Sequence, residues 1–449
     1  MDNISNDDNI SNDNISNDDK VSIVSDNLKI FDDMSFDDII EIENQIFKCM
    51  DDNLTNDILQ ISNPIYKEKL SSIITDEIYE TIASIYDIDE YDEAYNDILE
   101  FVNESINTYT ETIMTPPRSY NKGYCINKTC KEIDSVQHRI ECIKSSYQPP
   151  QRTAEWYEYR HNLLTASNVG KVIGSDAKRN SLIYEKCQPL LIQEINTYVN
   201  VNSPMHWGNK YEPVSLMLYE HMFNTIVEDF GCIKHTSIDC LGASPDGINT
   251  DTNNSKLYGR MVEIKNIVNR EITGIPLEAY WIQMQIQMEV CNLDECDFLE
   301  TKFKEFITSD EFYTSDKEHT GIILYFISKS DTNFNPHYVY MPMSVSKNPD
   351  SITSWVQDVT MEMDGTYKLH LTIYWYLDII SCVLVPRNTK WFSALCPQIV
   401  STWETIKYER KNGYEHRKPK KRNTRCNVIL DDSDKCIIDG DTKIISLFR

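Results

Sequence analysis

No stretch of this 449-residue chain is apolar for long enough to cross a bilayer: the longest, Leu371 to Val385, falls short of the ~20 residues a spanning helix needs and contains Asp378. It reads as a buried element of a soluble protein. The N-terminus is polar and acidic, so no secretory leader is expected. The 13 cysteines lie scattered without tight pairing, which favours reduced thiols inside a cell over a disulfide scaffold. Glycine is scarce, at 13 residues, beside abundant Asn, Ile, Asp and Tyr, a composition that suggests an AT-rich coding genome. Positive charge is also short, with 43 Lys/Arg against 71 Asp/Glu and a net charge of −28.

The deficit is uneven. Residues 1–110 hold 28 Asp/Glu against 5 Lys, so the remaining 339 residues carry 43 acids against 38 bases, and basic patches are open to that larger part. Within residues 1–27, Asn-Ile-Ser-Asn-Asp repeats at 3–7, 9–13 and 14–18; so polar a tract cannot bury enough surface to offset chain entropy and is expected to be disordered. Over 28–114, Ile, Leu, Phe and Tyr recur among the acids at helical spacing, which predicts an acidic helical module, either a solvated cap, a partner-docking domain or a DNA mimic. Residues 115–147 read as a linker containing Cys125, Cys130, His138 and Cys142, residue types that suit zinc at a spacing that matches no standard finger or knuckle. Lys407 to Arg425 carries nine Lys/Arg against two acids and opens a basic tail over 407–449, a hook for phosphate backbone and similar to a nuclear-import signal.

The chemistry concentrates between Gly242 and Lys265. Asp246 follows a turn-forming Pro245, and Glu263 and Lys265 alternate in an apolar run, so a strand would turn both to one face. Mg²⁺ is usually held by one or two carboxylates with water and substrate phosphate, and a neighbouring lysine can orient or deprotonate an attacking water. A strand is expected over Cys232 to Leu241, a polar hairpin over 249–258, and strands at Thr320–Ile327 and His337–Met341. Residues 350–363 read as a helix, as do Trp156–Arg160 and Trp207–Tyr219. Ile282, Met284, Ile286, Met288 and Val290 alternate with polar residues as in a strand, yet their Gln, Met and Glu neighbours favour helix, and helix is preferred here.

Five segments occur in a set order: Arg152-Thr-Ala-Glu-Trp156 with Arg160 and Leu164-Thr-Ala-Ser-Asn-Val-Gly170; Trp207-Gly-Asn-Lys-Tyr-Glu-Pro213; Ala243-Ser-Pro-Asp-Gly247; Glu263-Ile-Lys265; and Tyr280 to Glu289. Together they resemble the lambda-exonuclease-like, YqaJ-type viral recombinase nucleases of the PD-(D/E)XK superfamily, over residues 148–345. The resemblance implies an α/β restriction-endonuclease-like core, a mixed central sheet flanked by helices, over 148–365. It would be followed by a helical extension over 366–406 and the basic tail.

It further implies that Asp246 and Glu263 hold Mg²⁺, with Mn²⁺ as substitute, that the Ile264 carbonyl is an added ligand, and that Glu212 supports them directly or through water. Lys265 would orient or activate water, and Arg160, Ser167 and Ser244 would hold the 5′-phosphate of a DNA end. Gln285 matches the family's active-site glutamine, with Gln283 as second choice, since about 200° of helix rotation separates the two. The implied activity is resection of double-stranded DNA ends, 5′ to 3′, for recombination or repair, alongside a single-strand annealing protein and with no membrane. The alternatives are a structure-selective endonuclease and a non-catalytic end-binding recombination or packaging factor. The family's flavour is that of a large DNA virus, with an intracellular setting in host cytoplasm or nucleus; relatives often form rings around DNA, and the extra N-terminal segment bears on that oligomer.

Overall fold

The structure is a computed structural model that describes residues 29–31, 34–86, 91–112, 116–120, 128–151, 153–190, 200–330 and 335–418. The repeat tract, Arg152, Cys125 and the chain beyond 418 lie outside these residues.

The acidic segment forms three helices, α1 (Phe36–Asp57), α2 (Tyr66–Ala83) and α3 (Tyr91–Thr112). Ser35 starts α1 with a capping box, its hydroxyl accepting from Asp38 N while the Asp38 carboxylate accepts from Ser35 N. Ile46, Ile74, Ile78, Ile98 and Val102 close the space between the helices with no exposed surface. This bundle is not a detached cap. Ser62 donates to Glu278 Oε1 at 3.0 Å, Trp391 Nε1 donates to the Leu59 carbonyl at 3.4 Å, and Arg118 bonds the carbonyls of Ser62 and Pro276. One apolar cluster continues from its helices into the α/β part.

Beyond it the chain runs through α4 (Cys130–Ser145), α5 (Ala154–His161), β1 (Leu164–Thr165), α6 (Ala166–Val169), α7 (Asp176–Cys187) and α8 (Pro204–Phe223). Four short strands follow, β2 (Val227–Glu228), β3 (Ile233–Lys234), β4 (Leu241–Ala243) and β5 (Gly247–Asn249), and then β6 (Met261–Asn266), α9 (Glu278–Cys291), β7 (Glu295–Glu305) and α10 (Ser309–Thr314). The remainder is β8 (Thr320–Ser328), β9 (Pro336–Tyr340), α11 (Pro349–Met363), β10 (Tyr367–Pro386) and α12 (Thr389–Asn412). Seven strands make the main sheet in the order β2-β5-β6-β7-β10-β8-β9, with β6 and β7 parallel and every other pair antiparallel; β1, β4 and β3 form a small second sheet. This is the mixed sheet flanked by helices expected of a PD-(D/E)XK core.

Three expectations are corrected, and the Cys/His segment is partly described. Residues 366–406 are not a helical extension: 367–386 are the 20-residue strand β10, inserted between β7 and β8, and only α12 is helical. The signal was present, since Leu369, Leu371, Ile373, Trp375 and Leu377 alternate with Lys368, His370, Thr372, Tyr374 and Tyr376, the period of a strand. The single strand expected over Cys232–Leu241 is two, because the His235 ring nitrogen accepts from the amides of Ser237 and Ile238, each at 3.0 Å, and turns the chain. The basic run does not begin as a free tail, for residues 407–412 complete α12 and Arg417 is clamped by Glu409 and Asn180. In α4, Cys130 lies twelve residues from Cys142, about 18 Å along a helix, so the two do not share an ion; among the described members of the cluster, His138 and Cys142 approach, at 3.7 Å.

α9 is helical, and its buried residues explain the ambiguous pattern. Trp281, Ile282, Met284, Gln285, Ile286, Gln287, Met288, Val290 and Cys291 are all buried, and a helix enclosed on every side needs no single apolar stripe. It packs against α6 and β4, and α8 crosses β6, where Ser215 donates to Asn266 Oδ1 at 2.6 Å and Asn266 donates to the Gly208 carbonyl at 3.0 Å. Between α8, α9 and the β5–β6 hairpin a cleft opens.

Candidate active site

The hairpin brings the acids together. Asp246 immediately precedes β5, where Gly247 pairs with Val262. A Cβ on Gly247 would come within 2.2 Å of Val227 Cγ1, so only glycine allows the turn to sit so close to β2. The Asp246 carboxylate crosses to β6 and accepts from Ile264 N at 2.7 Å. Glu263, with no exposed surface, points into the same space. Its Oε1 accepts from Lys265 and from Gln283 Nε2 at 2.7 Å, and its Oε2 accepts from Gln287 Nε2 at 2.7 Å. Lys265 also lies over the Tyr280 ring, 5.0 Å from its centroid.

Negative charge is crowded here. Enclosure, followed by the carboxylates of Glu263 and Glu212, pushes the Asp246 carboxyl well above the usual aspartate range. Burial by itself would lower the Lys265 ammonium, but Glu263 and Asp246 outweigh it and keep the group charged beyond the ordinary lysine range. A site in which carboxylates resist ionising together is one that a cation relieves. The carboxylates of Asp246 and Glu263 offer oxygen donors, as hard Mg²⁺ or Mn²⁺ requires. Among the described residues no three His, Cys, Asp or Glu side chains are grouped to hold one ion, so Glu212 adds charge to the cleft without completing a three-carboxylate cluster. That suits Mg²⁺, which takes most of its ligands from water and substrate.

A cavity of about 780 Å³ is lined by Arg160, Ser167, Glu212, Ser244, Asp246 and Ile264, with Gln283 at its wall. Arg160 Nη1 donates to Ser244 Oγ at 3.0 Å and its guanidinium lies 4.4 Å from the Trp156 ring centroid. Thr165 occupies the N-cap position of α6 without capping it; its hydroxyl meets the Ser167 hydroxyl at 3.2 Å and donates to Asn168 Oδ1 at 2.7 Å. A second cavity of about 370 Å³ shares Arg160, Thr165 and Ser167 and adds Lys186, which donates to the Arg160 carbonyl at 2.8 Å. Burial, with Arg160 and Arg410 nearby, pulls the Lys186 ammonium down to about 8.

One predicted residue is not there. Gln285 points away from the cleft: it is buried, its Nε2 donates to the Pro386 carbonyl at 2.8 Å, and its Oε1 accepts from Asn388 N at 2.7 Å. The glutamines on Glu263 are Gln283 and Gln287. Four residues bring a helix round by about 400°, so these two share a face and Gln285 lies opposite. Gln287 and Trp156 stood only within their motif segments, without a role, although the i, i+4 spacing from Gln283 was the signal for Gln287; Lys186, a lysine in an ordinary helical context, carried none.

Residues 155–294, the segment that supplies all of these cleft residues, match the family model of the YqaJ-like viral recombinase domain. Over those residues the chain is similar to a YqaJ-like domain. Outside the family model, the chain is 28% identical to the uncharacterised protein R354 of Acanthamoeba polyphaga mimivirus, over 63% of this chain and 58% of that protein. It thus spans less than two thirds of that relative's length. Among solved structures it is similar to the alkaline exonuclease LHK-Exo of Laribacter hongkongensis (20% identity, 58% of this chain and 95% of that one, TM-score 0.33). It is also similar to a phage-related exonuclease of Haemophilus somnus 129PT (13% identity, 58% and 99%, TM-score 0.32). Among the described residues no helix is long and apolar enough to cross a membrane.

Proposed function

We propose that the YqaJ-like domain is a divalent-metal-dependent deoxyribonuclease that resects the ends of double-stranded DNA, 5′ to 3′, for recombination or repair. The observation that carries this reading is the convergence of two chemistries in one cleft. The Asp246, Glu263 and Lys265 cluster stands beside an end-binding wall made by Arg160, Ser167 and Ser244. The family match supports the nuclease class.

Asp246 and Glu263 would hold the cation, Mg²⁺ with Mn²⁺ as substitute, helped by the Ile264 carbonyl and by Glu212. Bound there, the ion would supply Lewis acidity and a more acidic attacking water. The protein's own groups do the rest. Gln283 and Gln287 fix the Glu263 carboxylate between two amide donors, so it cannot rotate away from the cleft. Lys265 orients or activates water and offsets the charge that develops on phosphate. Arg160, its plane set by Trp156 and its Nη1 by Ser244, presents a fork suited to a terminal phosphate.

The test is digestion of linear duplex, 5′-phosphorylated or 5′-hydroxyl, beside covalently closed circles, in Mg²⁺, by wild type and Lys265→Ala. Consumption of the phosphorylated linear DNA that the substitution abolishes is the expected result. Cutting of closed circles would instead identify an endonuclease. No Mg²⁺-dependent cleavage of any substrate would leave an end-binding platform.

A further inference from the structure

Lys265 has a second carboxylate on its own face of the sheet. In the parallel β6–β7 pair Lys265 is in register with Glu300, and register partners on neighbouring strands, about 4.8 Å apart, project to the same side. Glu263, two residues before Lys265, projects there too. Glu300 has no exposed surface; its Oε1 accepts from Arg270, while its Oε2 is buried without any hydrogen-bond partner. An unpartnered carboxylate oxygen in the interior is costly, and native proteins rarely keep one without a use. Tyr280 lies beside both cations, with Lys265 at 5.0 Å and Arg270 at 5.6 Å from its ring centroid, so an ammonium crossing from Glu263 to Glu300 stays near that ring. Lys265 already acts electrostatically on Glu300, partly offsetting the rise that burial imposes on that carboxyl.

We infer that Glu300 is the alternate seat of the Lys265 ammonium, a positioning residue that receives it when a divalent cation takes over Glu263. This rests on the reading of Asp246 and Glu263 as the cation site. In the cation-free protein Lys265 neutralises Glu263; a cation competes for the same carboxylate and repels the ammonium. The vacant Oε2 of Glu300 accepts the displaced N–H and keeps Lys265 charged and beside the cleft. Without that seat Lys265 stays on Glu263 and opposes the ion.

The experiment is Mn²⁺ binding to the full chain without DNA, followed by the loss of the free-ion electron paramagnetic resonance signal. Wild type, Asp246→Asn, Glu300→Gln, Lys265→Ala and the Glu300→Gln/Lys265→Ala double variant are compared. Glu300→Gln keeps the side-chain shape and an oxygen for Arg270, and its thermal midpoint checks the fold. Mn²⁺ binding is expected to weaken about tenfold in Glu300→Gln, the scale seen when outer partners of metal ligands are changed, and to be unaffected by the same change once Lys265 is alanine. An equal loss in both backgrounds, or no loss in either, overturns the role of Glu300 while Asp246-dependent binding by wild type upholds the cation site. Absence of any Asp246-dependent binding overturns both.

Discussion

Replacing Gln285 by leucine separates structure from chemistry along α9. The side chain ties the end of β10 to the start of α12 through two hydrogen bonds, to the Pro386 carbonyl at 2.8 Å and from Asn388 N at 2.7 Å. Asn388 in turn caps α12, its Oδ1 accepting from Trp391 N at 2.9 Å. Leucine fills the volume but leaves both backbone groups without this partner in a buried setting, at about 1–3 kcal/mol each, or about 2–6 kcal/mol together. For a domain of this size that lowers the thermal midpoint by on the order of 5 °C. Cleavage per folded molecule should be unchanged, because no atom of Gln285 reaches Glu263. Gln283→Leu should do the reverse: one partly exposed hydrogen bond is lost at about 1 kcal/mol, while Glu263 loses a donor and turnover falls about tenfold. Thermal unfolding and single-turnover cleavage on the same preparations read both quantities. An inactive Gln285→Leu with an unshifted midpoint would refute the orientation of α9 and restore Gln285 to the site.

Three further outcomes follow from the same geometry. Asp246→Asn removes a carboxylate that burial, Glu263 and Glu212 all disfavour in its ionised form; the midpoint in chelator should rise, while the midpoint shift induced by Mg²⁺ and all cleavage disappear. Gly321→Ala would place its Cβ 2.5 Å from Cζ2 of the buried Trp375, across the β8–β10 pair, and should cost about 1–3 kcal/mol in urea unfolding; a neutral result would mean that Trp375 can shift. Lys186, pulled to about 8 from an ordinary 10.5, sheds its proton earlier folded than unfolded, so the unfolded chain binds more protons between those values and stability rises with pH across them. The advantage of Lys186→Met over wild type should therefore be greatest at neutral pH and shrink towards pH 10.5, with a pH-independent difference counting against the burial of that ammonium.

The acids and the lysine of the site were legible because their geometry is local. A turn at Pro245, a strand with alternating side chains and a Gly-rich close approach bring Asp246, Glu263 and Lys265 within one hairpin, and hairpins are written in adjacent residues. The helical acidic module was equally plain from its spacing. Its packing onto α9 and α12 was not, since Ser62 meets Glu278 and Leu59 meets Trp391 across hundreds of residues.

What the sequence determined by itself is the set of reacting groups and the elements that carry them. Tertiary structure alone decided how those elements are turned and ordered. α9 is buried on every side, so no apolar stripe marks which way it faces, and only its packing against β4, β6 and β10 selects Gln283 and Gln287 over Gln285. β10 had the alternation of a strand, but its place between β7 and β8 comes from ladder hydrogen bonds to residues that precede it by dozens of positions. The pairing of Lys265 with Glu300 likewise exists only because β6 and β7 run parallel in one register, a relation that no stretch of neighbouring residues encodes.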